Sequence, residues 1–400
     1  MIHSIIFVIT AIIFIYIFVS TCYLFIIAMG GKFGRRKRFT VSNDKKNITV
    51  LVPCYKEDHI ILETAASAAN HNYPKNSFRV LVIADKLHPQ TIEKLKQIPV
   101  DVVPVDLNMK SRSIHNALNS LNESLTDIIM ILDADNIMSD DCLEKVNDAF
   151  QKGYLAVQCH RTAKNKHTAV ALLDAISEEI NINLFRRGPA ILGLSAAPIG
   201  SGMAFDFRLV RDIFSSDEIL NNPGEDREID VQLMKRKIKM EFIDDAYVLD
   251  EKVANAAVFE KQRVRWLEAQ ANHVRRFFHD DMKDAPKTPL YYNKFFQTLL
   301  LPRVLTLLLF AIIFLVLIIQ WTFSISILYP PAAWWIGCIL LYALTLFISI
   351  PRVYYSGNTV KALAQVPVLM FSMVKAVLQM KKNRKEFLHT PKSFTEKSDG

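Results

Sequence analysis

An α/β layer fold held between apolar helices is the fold class this sequence predicts, and three observations lead to it. Between residues 45 and 285, short β-rich runs alternate with helical stretches. Apolar residues make up 51% of the 400 and are crowded towards the two ends of the chain. One central run, residues 128–132, is apolar at every position, the pattern of a strand covered on both faces in the middle of a parallel sheet.

The first element is an apolar run, residues 5–27, interrupted only by Thr, Ser, Cys and Tyr. At about 1.5 Å per residue it is long enough to cross roughly 30 Å of hydrocarbon. It exceeds the apolar core of a cleaved signal peptide, and its basic cluster follows rather than precedes it. That cluster, Lys32, Arg35, Arg36, Lys37 and Arg38, predicts an amino terminus outside and a cytoplasmic middle.

The middle then reads as strand 48–52 closed by Pro53, helix 63–70, strand 79–84, helix 91–97, strand 100–105, helix 112–122 and strand 128–132. A strand-like 203–207 and a helical 229–235 follow. Beyond them, about 299–320 and 334–350 form two further membrane stretches joined by an uncharged segment. Residues 362–380 are largely apolar but carry Gln365, Pro367 and Lys375, which suits a helix in the interface plane. Lys381, Lys382, Arg384 and Lys385 belong on the side of the first basic cluster, so the crossings are odd in number, and three satisfy this. The expected organisation is a membrane helix in 1–30, a cytoplasmic α/β domain in 31–285 and a membrane region in 286–400.

The net charge of +8, from 48 basic and 40 acidic residues, lies largely beside these stretches. Anionic lipid headgroups, not nucleic acid, are the expected partner. Cys22, Cys54, Cys142, Cys159 and Cys338 show no C-x-x-C and no zinc spacing, so reduced thiols are expected.

In covered α/β sheets, ligands collect where strands end. The first strand runs into Pro53, Cys54, Tyr55, Lys56, Glu57 and Asp58; the second ends near Asp85; the third leads to Lys110; the fourth into Asp133-Ala134-Asp135-Asn136. Two carboxylates one residue apart at the end of a buried strand repel one another and are desolvated unless a cation compensates. Mg²⁺ or Mn²⁺ does so and keeps positions open for phosphate oxygens. Turn-forming or helix-capping aspartates are the plainer reading of this pair alone. A phosphatase of the haloacid-dehalogenase type is the sharper rival, but it places such a strand at the start of its core, and here three strand-helix units precede it.

Gly224-Glu225-Asp226 opens a helical stretch, where acidic residues also suit the helix dipole. Gln262-Arg263-Val264-Arg265-Trp266, if helical, presents an amide, a guanidinium and an aromatic plate on one face. A plain amphipathic helix has the same spacing.

Taken in order, P-C-Y-K-E-D, Asp85, D-A-D, G-E-D and Q-R-V-R-W before membrane helices resemble the processive-type family-2 glycosyltransferases with a GT-A core, among them cellulose, hyaluronan and poly-N-acetylglucosamine synthases. The likeness runs from about Ile48 to Trp266. It implies a GT-A, Rossmann-like mixed sheet and an inverting transfer from a nucleotide-sugar, a UDP-hexose or UDP-N-acetylhexosamine, to a growing polysaccharide or a membrane-associated acceptor. A single transfer to a lipid-linked acceptor is the alternative. By the resemblance, Pro53, Tyr55 and Glu57 border the nucleotide, Asp85 holds its base and Lys110 lies near the donor. Asp133 and Asp135 mark the diphosphate and metal site, Asp226 is the catalytic base, and Gln262, Arg263, Arg265 and Trp266 close over diphosphate and acceptor. Ser111 stands where the family often has glycine.

Gly200-Ser201-Gly202 resembles a segment lining the acceptor path and also reads as an ordinary turn. His160, beside Arg161, is expected to be a satisfied structural histidine. The implied location is the inner membrane, with an oligomer or partner subunit allowed. A transporter is disfavoured, because the predicted spans hold almost no ionisable groups.

Overall fold

In a computed structural model of the chain, the described residues are 2–379 except 223, 253–255, 280, 281 and 284. The chain begins with α1 (Ile2–Phe33), and the α/β unit opens with β1 (Ile48–Tyr55), α2 (Ile61–Ala69), β2 (Phe78–Asp85), α3 (Pro89–Leu95), β3 (Asp101–Val105) and α4 (Lys110–Ser120). It continues through β4 (Ile128–Ile131), β5 (Ile137–Met138), α5 (Cys142–Gln151), β6 (Ala156–Ala163) and α6 (Ala169–Ile182), which runs through a π-helical turn, Asn183–Arg187, into α7 (Gly188–Ile191). Then come β7 (Met203–Asp206), α8 (Phe207–Phe214), α9 (Asp217–Leu220), α10 (Glu225–Lys235), β8 (Glu241–Asp250) and α11 (Ala256–Arg276). The last part holds α12 (Pro289–Leu299), α13 (Arg303–Phe323), α14 (Ala332–Ser349), α15 (Gly357–Leu363) and α16 (Val366–Leu378).

The strands form one sheet in the order β3-β2-β1-β4-β7-β6-β8-β5. β3, β2, β1 and β4 run parallel, whereas β7 is antiparallel to both β4 and β6, so the sheet is mixed. The expectation for residues 128–132 holds in its essential part. Ile128, Met130 and Leu132 pack into one core layer with Val50, Val52 and Ala84, while Ile129 and Ile131 pack into the other with Ile114, Phe205 and Phe214. A strand buried on both faces has no polar side to spare, which is why its sequence does not alternate.

Several element limits differ from those read in the sequence. Pro53 does not close β1, which pairs with β2 as far as Tyr55 opposite Asp85. Pairing with β4 stops at Leu51, whose carbonyl accepts from Leu132 N–H at 2.9 Å. Pro53, two residues on and facing the same neighbour, therefore removes no ladder bond. α4 starts at Lys110, and α10 starts at Glu225 rather than four residues later, which places both acidic residues in its first turn.

Ile5–Phe33, Arg303–Phe323 and Ala332–Ser349 are long and apolar enough to cross a membrane. The segment expected in the interface plane is a pair, α15 and α16, bent by 45°, which counts as a fourth span if taken as one. Phe14 and Leu24 of α1 pack with Ile313 of α13, Trp335 and Tyr342 of α14, and Ile176 and Leu184 of the soluble domain. Asn183 ties these parts together, its side-chain amide donating to Ala28 O at 3.2 Å and to Ser349 Oγ at 3.0 Å. The basic residues 381–385 lie outside the described residues.

Candidate active site

The ends of β1, β2 and β4 open onto one cavity of about 870 Å³. The chain leaves β1, β2 and β3 through left-handed residues, Lys56 (φ 57°), Lys86 (φ 57°) and Asn108 (φ 55°). Such conformations cost non-glycine residues energy and are held by their surroundings.

The holding is visible at Asp85, only 2% exposed. Its carboxylate accepts from Leu107 N–H (3.3 Å), Asn108 N–H (2.8 Å) and the Ser113 hydroxyl (3.2 Å), fixing the entry to α4. Lys110 thereby reaches across the cavity. Its ammonium donates to Asp133 Oδ1 and to Gly200 O, each at 2.7 Å, and pairs with Glu225 Oε1 at 3.0 Å. Burial alone would lower its pKa, but the Asp133 and Glu225 carboxylates outweigh burial and hold the ammonium above its ordinary value. Burial pushes the Glu225 carboxyl up, opposed by Lys110 and reinforced by Asp226.

The D-A-D turn is fastened from two sides. Asp133 N–H and the Asn136 side-chain amide donate to Ser201 Oγ at 2.9 and 3.0 Å, and the Thr64 hydroxyl donates to Ala134 O at 2.6 Å. Gly200 (φ 84°) and Gly202 (φ 65°) flank Ser201 in the left-handed region, which lets this segment turn against the carboxylates. A Cβ at Gly200 would lie 4.0 Å from Asp226 Oδ2. Gly200-Ser201-Gly202 is thus a turn before β7 that also borders the cavity.

Asp226 sits in the first turn of α10 and accepts from Arg227 N–H at 2.8 Å. On α11, the Arg265 guanidinium has its pKa lowered by burial, against which the Glu225, Asp133 and Asp226 carboxylates act, so it faces both acidic clusters. Arg263 forms an ion pair with Asp174 of α6, and its guanidinium lies over the Trp266 ring, 4.0 Å from the centroid. It orients Trp266 in this structure instead of pointing freely towards the D-A-D turn.

Every site residue expected from the sequence lines this one cavity. Pro53, Tyr55, Glu57 and Asp85 form one wall, Lys110, Asp133, Asp135 and Asp226 the next, and Gln262, Arg263, Arg265 and Trp266 the third. Asp133 and Asp135 are two hard oxygen donors one residue apart, and no cluster of three or more possible metal ligands occurs among the described residues. That donor set fits Mg²⁺ or Mn²⁺, which bind through one or two carboxylates and complete their shell with water and phosphate.

His160 is buried and structural: its ring nitrogens lie 2.9 Å from Asp244 O and 3.2 Å from Glu179 Oε2, and it does not line the cavity. Residues not anticipated from the sequence complete the lining. Asp230 and Lys294 form a buried pair at 2.9 Å. Arg161 donates to Glu178 at 2.6 Å, and Lys252 pairs with Glu178 and Asp250. His273 has its pKa pushed down to about 3, by burial first and then by Arg227, Lys294 and Arg276.

The family model described as glycosyltransferase-like family 2 matches residues 46–269. The poly-beta-1,6-N-acetyl-D-glucosamine synthase of Staphylococcus aureus (strain COL) is 26% identical over 264 residues, 64% of this chain and 62% of that protein. The protein of the same name from Staphylococcus epidermidis is 24% identical over 259 residues, 63% of this chain and 61% of its own length. The match therefore spans about three fifths of these relatives. Among solved structures, a mannosyltransferase from Pyrobaculum calidifontis in complex with GDP-Man and Mn²⁺ superimposes with a TM-score of 0.53 at 13% identity, over 91% of this chain and 95% of that one. The shared architecture is the GT-A fold, as the sequence predicts.

Proposed function

The chain belongs to the glycosyltransferase-like family 2, and from that premise we propose that it is an inverting, metal-assisted enzyme of the inner membrane. In this reading it moves a sugar from a UDP-hexose or UDP-N-acetylhexosamine to a growing polysaccharide or another membrane-associated acceptor. Residues 31–285 form its cytoplasmic catalytic domain, with 1–30 and 286–400 as membrane regions and the amino terminus outside. Its support is the triple contact of Lys110 with Asp133, Gly200 and Glu225, which sets the D-A-D turn and the G-E-D turn on one wall facing Arg265.

In this reading Asp133 and Asp135 hold Mg²⁺ or Mn²⁺, which when bound neutralises charge on the departing diphosphate. Asp226 accepts the proton of the acceptor hydroxyl as the new bond forms at the anomeric carbon and the bond to diphosphate breaks. Arg265 stays charged throughout and pairs with phosphate oxygens. Trp266 offers an apolar face to the acceptor ring, steadied by Arg263. Pro53, Tyr55, Glu57 and Asp85 border the nucleotide, and Gln262 joins the clamp over the diphosphate.

The test is nucleotide release by the purified full-length chain over a panel of UDP- and GDP-sugars, with and without divalent metal and membrane lipid, followed by sizing of labelled product. Metal-dependent release with a UDP-sugar supports the reading, and release with none of the donors sinks it. Long products indicate polymer synthesis, whereas a single added residue on lipid indicates the alternative acceptor.

A further inference from the structure

Most cations lining the cavity are matched by an acid. Arg263 is paired with Asp174, Lys294 with Asp230, Lys110 with Asp133 and Glu225, and Arg161 with Glu178. Arg186 and Arg303 are held differently. Arg186, in the π-helical turn, donates only to carbonyls: Ala197 O at 3.0 Å, Pro198 O at 3.2 Å and Asn181 O at 3.4 Å. Arg303, the first residue of α13, donates to Asn181 Oδ1 at 2.6 Å and to Ser177 O at 3.1 Å. They converge on the same asparagine from different elements, and neither forms an ion pair among the described residues. Burial pushes the Arg186 pKa down to about 10, with Arg161 acting in the same direction and the more distant Asp226 and Asp230 carboxylates against it.

The walls change character at this end of the cavity. Leu24 of α1, Val304 of α13, Tyr342 of α14 and Met373 of α16 all line it, so the helices that could cross a membrane contribute to the space that also holds Asp133. A buried cation with no carboxylate in direct contact is costly, and apolar walls facing water are unfavourable. A neutral sugar would supply no charge for the guanidiniums. A free anion would supply the charge but leave the apolar walls uncovered.

We propose that this end of the cavity is a binding subsite for a phosphate-bearing membrane lipid, with Arg186 and Arg303 receiving the phosphate and Leu24, Val304, Tyr342 and Met373 flanking the first part of its chain. The subsite does not depend on the transfer reading, because it uses none of the residues assigned to donor or base. The lipid enters between the span ends, and its headgroup lies on the side of Asn181.

The test uses the full-length chain, delipidated in a neutral detergent, with dioleoyl phosphatidic acid as the probe and retained lipid read by native mass spectrometry. The phosphatidic acid is expected to bind at least about tenfold tighter than dioleoyl phosphatidylcholine, in line with charge-assisted hydrogen bonds to two guanidiniums. Arg303→Gln should lose that preference. Val304→Trp, which fills the apolar part and leaves both cations in place, should lower retention as well. An unfolding temperature within a few degrees of wild type, measured on the same samples, reports that both variants are folded. Equal binding of the two lipids, inorganic phosphate binding as tightly as the lipid, displacement of the lipid by UDP, or unchanged retention in both variants each overturns the proposal.

Discussion

Lys110 Nζ lies 2.7 Å from Asp133 Oδ1 and 3.0 Å from Glu225 Oε1, so a single ammonium joins the turn after β4 to the first turn of α10. Removing it leaves two facing carboxylates with one cation fewer, and breaking such a pair costs about 3 kcal/mol or more. Lys110→Gln is expected to lower the unfolding temperature and to cut transfer by about a hundredfold or more. The ammonium's pKa is held above its ordinary value, so its contribution is intact below the unfolded lysine value and fades only as pH rises through the folded one. A pH series with wild type and Lys110→Gln should show the stability difference unchanged between pH 6 and 9. A difference that vanished at pH 8 would contradict the contact.

Asp226→Asn keeps the shape of the first turn of α10 and removes the proposed proton acceptor. Transfer should fall by about a thousandfold or more, the usual scale for losing a general base, while nucleotide-sugar binding stays within a fewfold of wild type. Single-turnover transfer and equilibrium binding on the same preparation separate the two. Normal transfer by the purified variant would remove Asp226 from the role of base.

Asp135→Ala takes away one of two neighbouring carboxylates and should weaken metal-dependent nucleotide binding by about tenfold or more. Calorimetric titration with nucleotide, with and without Mn²⁺, reads this. The metal-independent component should be unaffected, and undiminished metal dependence would count against the residue.

His273 is held neutral in the folded chain down to about pH 3, whereas an unfolded histidine takes up its proton near 6.5. Between those values the unfolded state binds more protons, so stability rises with pH and is lost as pH falls from 6.5 towards 3. The contribution approaches about 1.4 kcal/mol per pH unit at most. His273→Leu should flatten this slope, so that the fall in unfolding temperature between pH 7 and pH 5 is smaller than in wild type. Parallel curves for the two proteins would refute the neutral assignment.

Much of the site was legible because its chemistry is local. β4 announces its place in the sheet by having no polar face, and the residues just after a central strand must sit at its carboxyl end, which is where Asp133 and Asp135 are found. Asp230 had a signal too: it stands at i+4 from Asp226 on α10, the spacing that puts two residues on one helical face. Lys294 was obscured because residues 286–298 read as the approach to a membrane stretch. Yet Thr288 caps α12 and Pro289 occupies its first turn, a start signal that marks the helix. Lys252 and Glu178 meet across 74 residues of sequence, and Arg186 sits in a π-helical turn, neither of which leaves a periodic trace. The extent of β1 was missed for an energetic reason, since a proline ends a strand only where its absent N–H would have had a partner.

α11 carries Arg265 and Trp266, and its opposite face, Val264 and Leu267, packs on Met373 and Ala376 of α16. Arg265 and Trp266 are therefore seated on a helix of the carboxyl-terminal apolar region, not on the sheet that bears the carboxylates. A shift or tilt of α16 would carry the guanidinium away from the acidic walls while leaving them in place. The place of the guanidinium opposite the acidic walls is accordingly set by the seating of one apolar helix, independently of the sheet.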